Sequence, residues 1–115
     1  MIVDDSQLII DRLIGMLDEL DENHLVFTAG NYADAVTLVA EKKPDITFLD
    51  IHLPGKNGIA LLKHIGENYP HIQNIMLSNE GSSFYRKLCK ESGAVHFIDK
   101  SKEFELITEI IASMY

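Results

Sequence analysis

The chain has 115 residues, enough for one domain and too few for two. Hydrophobic residues make up 46% of it, ordinary for a globular core, and no apolar run approaches the ~20 residues of a membrane span. A net charge of −8 argues against direct binding to nucleic acid, which needs a basic patch.

Apolar runs and helical patterns alternate from end to end. Met1–Asp4 reads as a short strand with acids directly behind it, which is not a secretory leader pattern. Ser6 can cap a helix whose apolar face is Ile9, Ile10, Leu13, Ile14 and Leu17. Leu25–Ala29 is a second strand. Asn31 opens a second helix with Ala35, Val36, Val39 and Ala40 inward; it stops before Pro44, and Lys42 and Lys43 suit its negative end. Ile46–Asp50 is nearly all apolar, as a strand covered on both faces should be. Gly58–Tyr69 is a third helix with Ile59, Leu62 and Ile65 inward, followed by a strand at Ile75–Ser78. Ser82–Glu91 is a weaker helix with Phe84, Leu88 and Cys89 as its apolar positions, and Gly93 ends it. Ala94–Ile98 is a fifth strand, and Glu103–Tyr115 closes the chain with Phe104, Ile107, Ile110, Ile111 and Met114 inward.

Five strand–helix units in strict alternation imply an α/β fold: a parallel sheet with helices on both faces, joined by right-handed crossovers. The lone Cys89 cannot form an internal disulfide and reads as a small buried residue, in keeping with a reducing cytoplasm. In such sheets ligands bind beyond the carboxyl ends of the strands. Asp4, Asp5, Asp50, Ser78 and Lys100 all fall at or just past those ends.

Nothing in folding favours gathering Asp4, Asp5 and Asp50, because like charges repel and raise one another's pKa. A hard divalent cation relieves this, and Mg2+ takes oxygen ligands while keeping several waters. Asp5 and Asp50 are the expected direct ligands, the backbone carbonyl of His52 a third, and Asp4 the holder of a metal-bound water. Mg2+ with the Lys100 ammonium then balances the three carboxylates, leaving room for an anionic phosphoryl group. Asp50 is the best nucleophile, since a carboxylate can form an acyl phosphate. Mg2+, Lys100 and the Ser78 hydroxyl would each hold one phosphoryl oxygen. The product would carry about −2 where the carboxylate carried −1, a change that a switch can sense.

Plainer readings stand beside these. An Asp-Asp pair often caps a helix, and Pro54 and Gly58 can be loop punctuation. Phe97 can be core. His24, His64, His71 and His96 read as surface residues, Glu80 as a rim residue, and Asp18 to Glu22 as a solvated helix end.

The sequence resembles the receiver domain of two-component response regulators over essentially its full length, as a single domain spanning 1–115. The matching stretches are Ile2-Val3-Asp4-Asp5-Ser6, Phe48-Leu49-Asp50-Ile51-His52-Leu53-Pro54 with Asn57-Gly58, Met76-Leu77-Ser78, and Phe97-Ile98-Asp99-Lys100. The resemblance implies a flavodoxin-like strand order of 2-1-3-4-5. It further implies phosphorylation of Asp50 by a histidine kinase or phosphotransfer protein, and a surface, made by the fourth helix, fifth strand and fifth helix, that engages an output protein or effector domain. Ser78 and Phe97 match the family's hydroxyl and aromatic switch positions. The same surface is a candidate homodimer face. Such a protein catalyses only its own phosphorylation and dephosphorylation, and no effector domain is expected within these residues. The family usually has proline where Ser101 stands; a non-proline cis bond costs ~2.5–4 kcal/mol, which argues against a cis peptide after Lys100.

The runner-up is a degenerate receiver that serves only as a docking module, against which the intact Asp5, Asp50, Ser78 and Lys100 set argues. A hydrolase with an aspartate nucleophile would carry a second aspartate where His52 stands. A flavin protein would need a Ser/Thr/Gly-rich loop after the first strand, where the chain has Asp5-Ser6-Gln7-Leu8, and no GxGxxG follows any strand.

Overall fold

A computed structural model describes residues 1–20, 25–79 and 83–114. The alternation of apolar runs and amphipathic segments becomes, in chain order, β1 (Ile2–Val3), α1 (Gln7–Leu20), β2 (Thr28–Ala29), α2 (Tyr32–Lys42), β3 (Ile46–Asp50), α3 (Gly58–Asn68), β4 (Gln73–Ser78), α4 (Ser83–Glu91), β5 (His96–Asp99) and α5 (Leu106–Met114). All strand pairs are parallel and the sheet runs β2-β1-β3-β4-β5, the expected order. Among the described residues no helix is long and apolar enough to cross a membrane, and no peptide bond is cis, the one after Lys100 included.

Side chains of a strand point alternately to the two faces of its sheet, and this divides the core in two. Val3, Leu49 and Met76 join Ala35 and Val39 of α2, Leu61, Leu62 and Ile65 of α3, and Cys89 of α4. Ile2, Phe48, Ile75, Leu77 and Ile98 join Ile10, Leu13 and Leu17 of α1 and Ile107 and Ile111 of α5. Both faces of the central strands are therefore dry, which accounts for the unbroken apolar run in β3. The Thr47 hydroxyl donates to Asn74 Oδ1 at 2.5 Å, linking β3 to β4 inside the first layer. Cys89 is fully buried, and burial pushes its thiol up to about 11, which leaves it unreactive.

Local chemistry marks the helix ends. Asn31 accepts the Asp34 N–H at the start of α2, and Asn57 accepts the Ala60 N–H at the start of α3. Lys43 closes α2 in the left-handed region (φ 44°), donating its N–H to Val39, and Pro44 then blocks any further turn. Among the described residues Gly58 is the one glycine forced by a close approach: a Cβ there would collide with the backbone carbonyl of Asp50 and lie 2.9 Å from Ile51 Cα.

Several expectations shift. The two-residue β2 is an edge strand, so only the stretch facing β1 is fixed, and Leu25 is left 81% exposed. The central strand β4 begins earlier than expected, at Gln73, because Gln73 and Asn74 pair with Ile46 and Thr47 of β3. Glu103–Glu105 forms a turn, so α5 opens only at Leu106, although Phe104 is still buried. Ala40 is exposed, because the inner stripe of α2 runs through Ala35, Leu38 and Val39. Phe84 is likewise solvent-facing at 68% exposure; α4 turns Tyr85, Leu88 and Cys89 to the core, at i, i+3 and i+4. The readings of Asp21, Glu22, His24, Glu80, Ser82 and Tyr115 fall outside the described residues.

Candidate functional site

In a parallel sheet every strand delivers its carboxyl end to the same edge, and here that edge gathers the expected side chains. Asp4 follows β1 directly and is buried; its Oδ1 accepts the Ser6 N–H at 2.9 Å, fixing the entry into α1. Asp5, next along, is exposed. Asp50 is the last residue of β3 and is buried. One carboxylate oxygen from each of the three can be chosen so that all lie within 4.8 Å of one another. One Asp4 oxygen thus serves the turn into α1, and the other faces Lys100.

Lys100 follows β5 and is buried, with its backbone N–H donating to the Ser78 carbonyl at 2.8 Å. Its Nζ reaches into the acidic cluster, 2.6 Å from Asp4 Oδ2 and 3.4 Å from Asp50 Oδ1. Burial pushes the Asp50 carboxyl above the ordinary range; Asp4 adds to the rise, while Lys100 and the His52 N–H pull against it. That N–H donates to Asp50 Oδ1 at 3.2 Å. The His52 side chain is exposed, its ring edge-on to Tyr85 with centroids 6.3 Å apart.

Ser78 ends β4 and is fully buried. Phe97 pairs in register with Met76, two residues before Ser78, and faces α4 rather than the acids. Its ring is half-buried against the first core layer, with the Arg86 guanidinium 4.9 Å from its centroid. Arg86 also pairs with Glu103 and holds that carboxyl below its ordinary range. Sequence reasoning missed Arg86, Tyr85 and Glu103, for their roles depend on which helix α4 packs beside. Lys102 is exposed, whereas Lys100 is buried.

Comparison with known proteins agrees with this geometry. Residues 1–112 match the response regulator receiver domain. The chain belongs to that family. The receiver is 30% identical, over 119 residues, to the uncharacterized transcriptional regulatory protein YesN of Bacillus subtilis (strain 168), covering 99% of this chain and 32% of YesN. The chain therefore spans about a third of that relative's length. The receiver domain of NtrX from Brucella abortus superposes with a TM-score of 0.83 at 33% identity, covering 98% of this receiver and 93% of the other. A chain of the CheX-CheY-BeF3-Mg2+ complex from Borrelia burgdorferi superposes with a TM-score of 0.80 at 28% identity, covering 96% and 86%. The chain is thus a receiver domain of two-component signalling, as its motifs implied.

Receiver domains hold Mg2+ at an acidic cluster, and Asp4, Asp5 and Asp50 form one here. The donors suit that ion, being hard carboxylate oxygens with no thiolate or imidazole among them. Asp5 and Asp50 would hold it directly, with the His52 carbonyl as a further ligand and Asp4 acting through water.

Proposed function

We propose that this receiver accepts a phosphoryl group on Asp50 from a histidine kinase or phosphotransfer protein in the cytoplasm, with Mg2+ bound. The new charge then alters the surface that an output protein or effector domain meets. The observation that carries this reading is the ammonium of Lys100 held between the buried carboxylates of Asp4 and Asp50. A scaffold with no anion to handle gains little from burying such a trio, because desolvation offsets much of the attraction.

Bound Mg2+ would supply charge neutralisation at the phosphoryl oxygens. The chain's own groups do the rest. An Asp50 carboxylate oxygen attacks phosphorus, and the bond from phosphorus to the donor's nitrogen breaks. The Lys100 ammonium, 3.4 Å from Asp50, needs only a small movement to follow the charge from the carboxylate to a phosphoryl oxygen. The hydroxyl of Ser78, at the neighbouring strand end, is positioned in sequence to hold another. The His52 N–H keeps the carboxylate oriented. The receiver acts on itself and on no separate substrate. The complex from Borrelia burgdorferi, one chain of which is similar to this receiver, contains BeF3 and Mg2+ and lends support.

The test is incubation with MgCl2 and acetyl phosphate followed by intact-mass measurement. One added phosphoryl group is expected, lost on chelating Mg2+ and absent in Asp50→Asn. Labelling that persists in Asp50→Asn would overturn the assignment.

A further inference from the structure

Lysine carries its charge on a flexible four-carbon stem, so aiming Lys100 at Asp50 requires a fixed backbone. The residues around it show how that is done. Asp99, immediately before Lys100, is a buried carboxylate outside the acidic cluster. Its Oδ1 accepts two bonds from Ser101, one from the N–H at 2.9 Å and one from the hydroxyl at 2.6 Å. Its carbonyl accepts the Glu103 N–H at 2.8 Å, and its own N–H donates to Glu103 Oε1 at 3.1 Å. The peptide on each side of Lys100 is therefore tied, while the Lys100 N–H itself is tied to Ser78. A buried carboxylate is costly unless hydrogen bonds satisfy it, and the one hydroxyl bonded to this carboxylate comes from Ser101, a residue that is itself exposed.

We propose that Asp99 and Ser101 are positioning residues, a carboxylate–hydroxyl clamp that sets the backbone of Lys100 so that its ammonium is aimed at Asp50. The proposal rests on the phosphoryl-acceptor reading above. Neither residue touches the acids, and the clamp acts through Lys100 alone. The low carboxyl pKa of Asp99, caused chiefly by the hydroxyl and N–H of Ser101, is consistent with a carboxylate kept ionised by its clamp.

Ser101→Ala removes the hydroxyl from an exposed position, and Ser101→Thr keeps it. Four measurements are made on these variants and the unaltered receiver: melting temperature, Mg2+ affinity, the rate of phosphoryl uptake from acetyl phosphate, and the NMR signal of the Lys100 Nζ. Ser101→Ala should slow uptake about tenfold, short of the ~100-fold that a 1 Å misplacement can cost, and shift the Nζ signal. It should leave Mg2+ affinity unchanged, and Ser101→Thr should restore both rate and signal. An unchanged rate and signal in Ser101→Ala would overturn the clamp, as would a Ser101→Thr variant as slow as Ser101→Ala. If the unaltered receiver takes no phosphoryl group, the acceptor reading fails, and the Nζ signal still decides whether Ser101 sets the position of Lys100.

Discussion

Lys100 Nζ lies 2.6 Å from Asp4 Oδ2, joining residues 96 positions apart at the carboxyl ends of β1 and β5 although β3 and β4 lie between those strands. The contact makes the lysine a structural counter-ion before any phosphoryl group arrives, and it sets what its loss should do.

Lys100→Ala should melt markedly lower than the unaltered receiver when no divalent metal is present. Removing one partner from a buried ion pair leaves an uncompensated charge, at a cost of ~3–5 kcal/mol. Mg2+ should recover much of the loss and bind more tightly than before, since a competing cation is gone. Phosphoryl uptake should collapse all the same. Lys102→Ala, at an exposed position, should leave each of these measurements unmoved. If instead Lys102→Ala produced the defect and Lys100→Ala did not, the wrong lysine would have been assigned.

Asp50→Asn should raise the melting temperature of the metal-free receiver near neutral pH. Burial holds the Asp50 carboxyl above its ordinary range, so its ionisation costs the folded state more than the unfolded one. The cost is absent below the unfolded pKa of ~3.9, builds as pH rises through the folded value, and is constant above it. The gain should amount to a few degrees, as ~1 kcal/mol moves the midpoint of a domain near this size by roughly 4–8 °C. Melting in EDTA across a pH series checks this. Identical midpoints at neutral pH, or a gap that widens on acidification, would contradict it.

Asp5→Ala should weaken Mg2+ binding more than Asp4→Ala, by roughly tenfold, equivalent to ~1.4 kcal/mol. Asp5 is exposed and able to meet a metal, whereas Asp4 is committed to Lys100 and the Ser6 N–H. Asp4→Ala should instead lower the melting temperature more. Calorimetric titration and melting of both variants decide the matter, and a larger affinity loss for Asp4→Ala would reverse the two roles.

Gly58→Ala should destabilise the fold by about 1–3 kcal/mol or more, the usual scale of overpacking, because the added methyl meets the backbone of Asp50 itself. Gly66→Ala in the same helix is the control. Beyond its chain neighbours and the helix's own backbone, no atom lies within 4 Å of a Cβ there, so it should gain stability, by roughly 0.5–1 kcal/mol. Denaturant melts of the pair test this, and a harmless Gly58→Ala would mean that α3 can move away from Asp50.

The alternation of five strand patterns with five helical ones is local information, carried by the two periodicities, and the sequence by itself determined the fold class from it. It also determined which side chains would meet. A parallel sheet brings all strand carboxyl ends to one edge, so Asp4, Asp50, Ser78 and Lys100 had to converge once each was placed at a strand end. Only the tertiary structure decided how those groups pair. That Lys100 lies closer to Asp4 than to Asp50, and that Asp99 turns to Ser101 rather than to the acids, depends on loop geometry that no periodicity encodes. The inward face of α4 was decided in the same way. Phe84 is the more apolar residue, but the side that α4 lays against the sheet selects Tyr85, Leu88 and Cys89 and leaves Phe84 in solvent. Hydrophobicity sets which residues are able to be buried; the packing of distant segments sets which of them are.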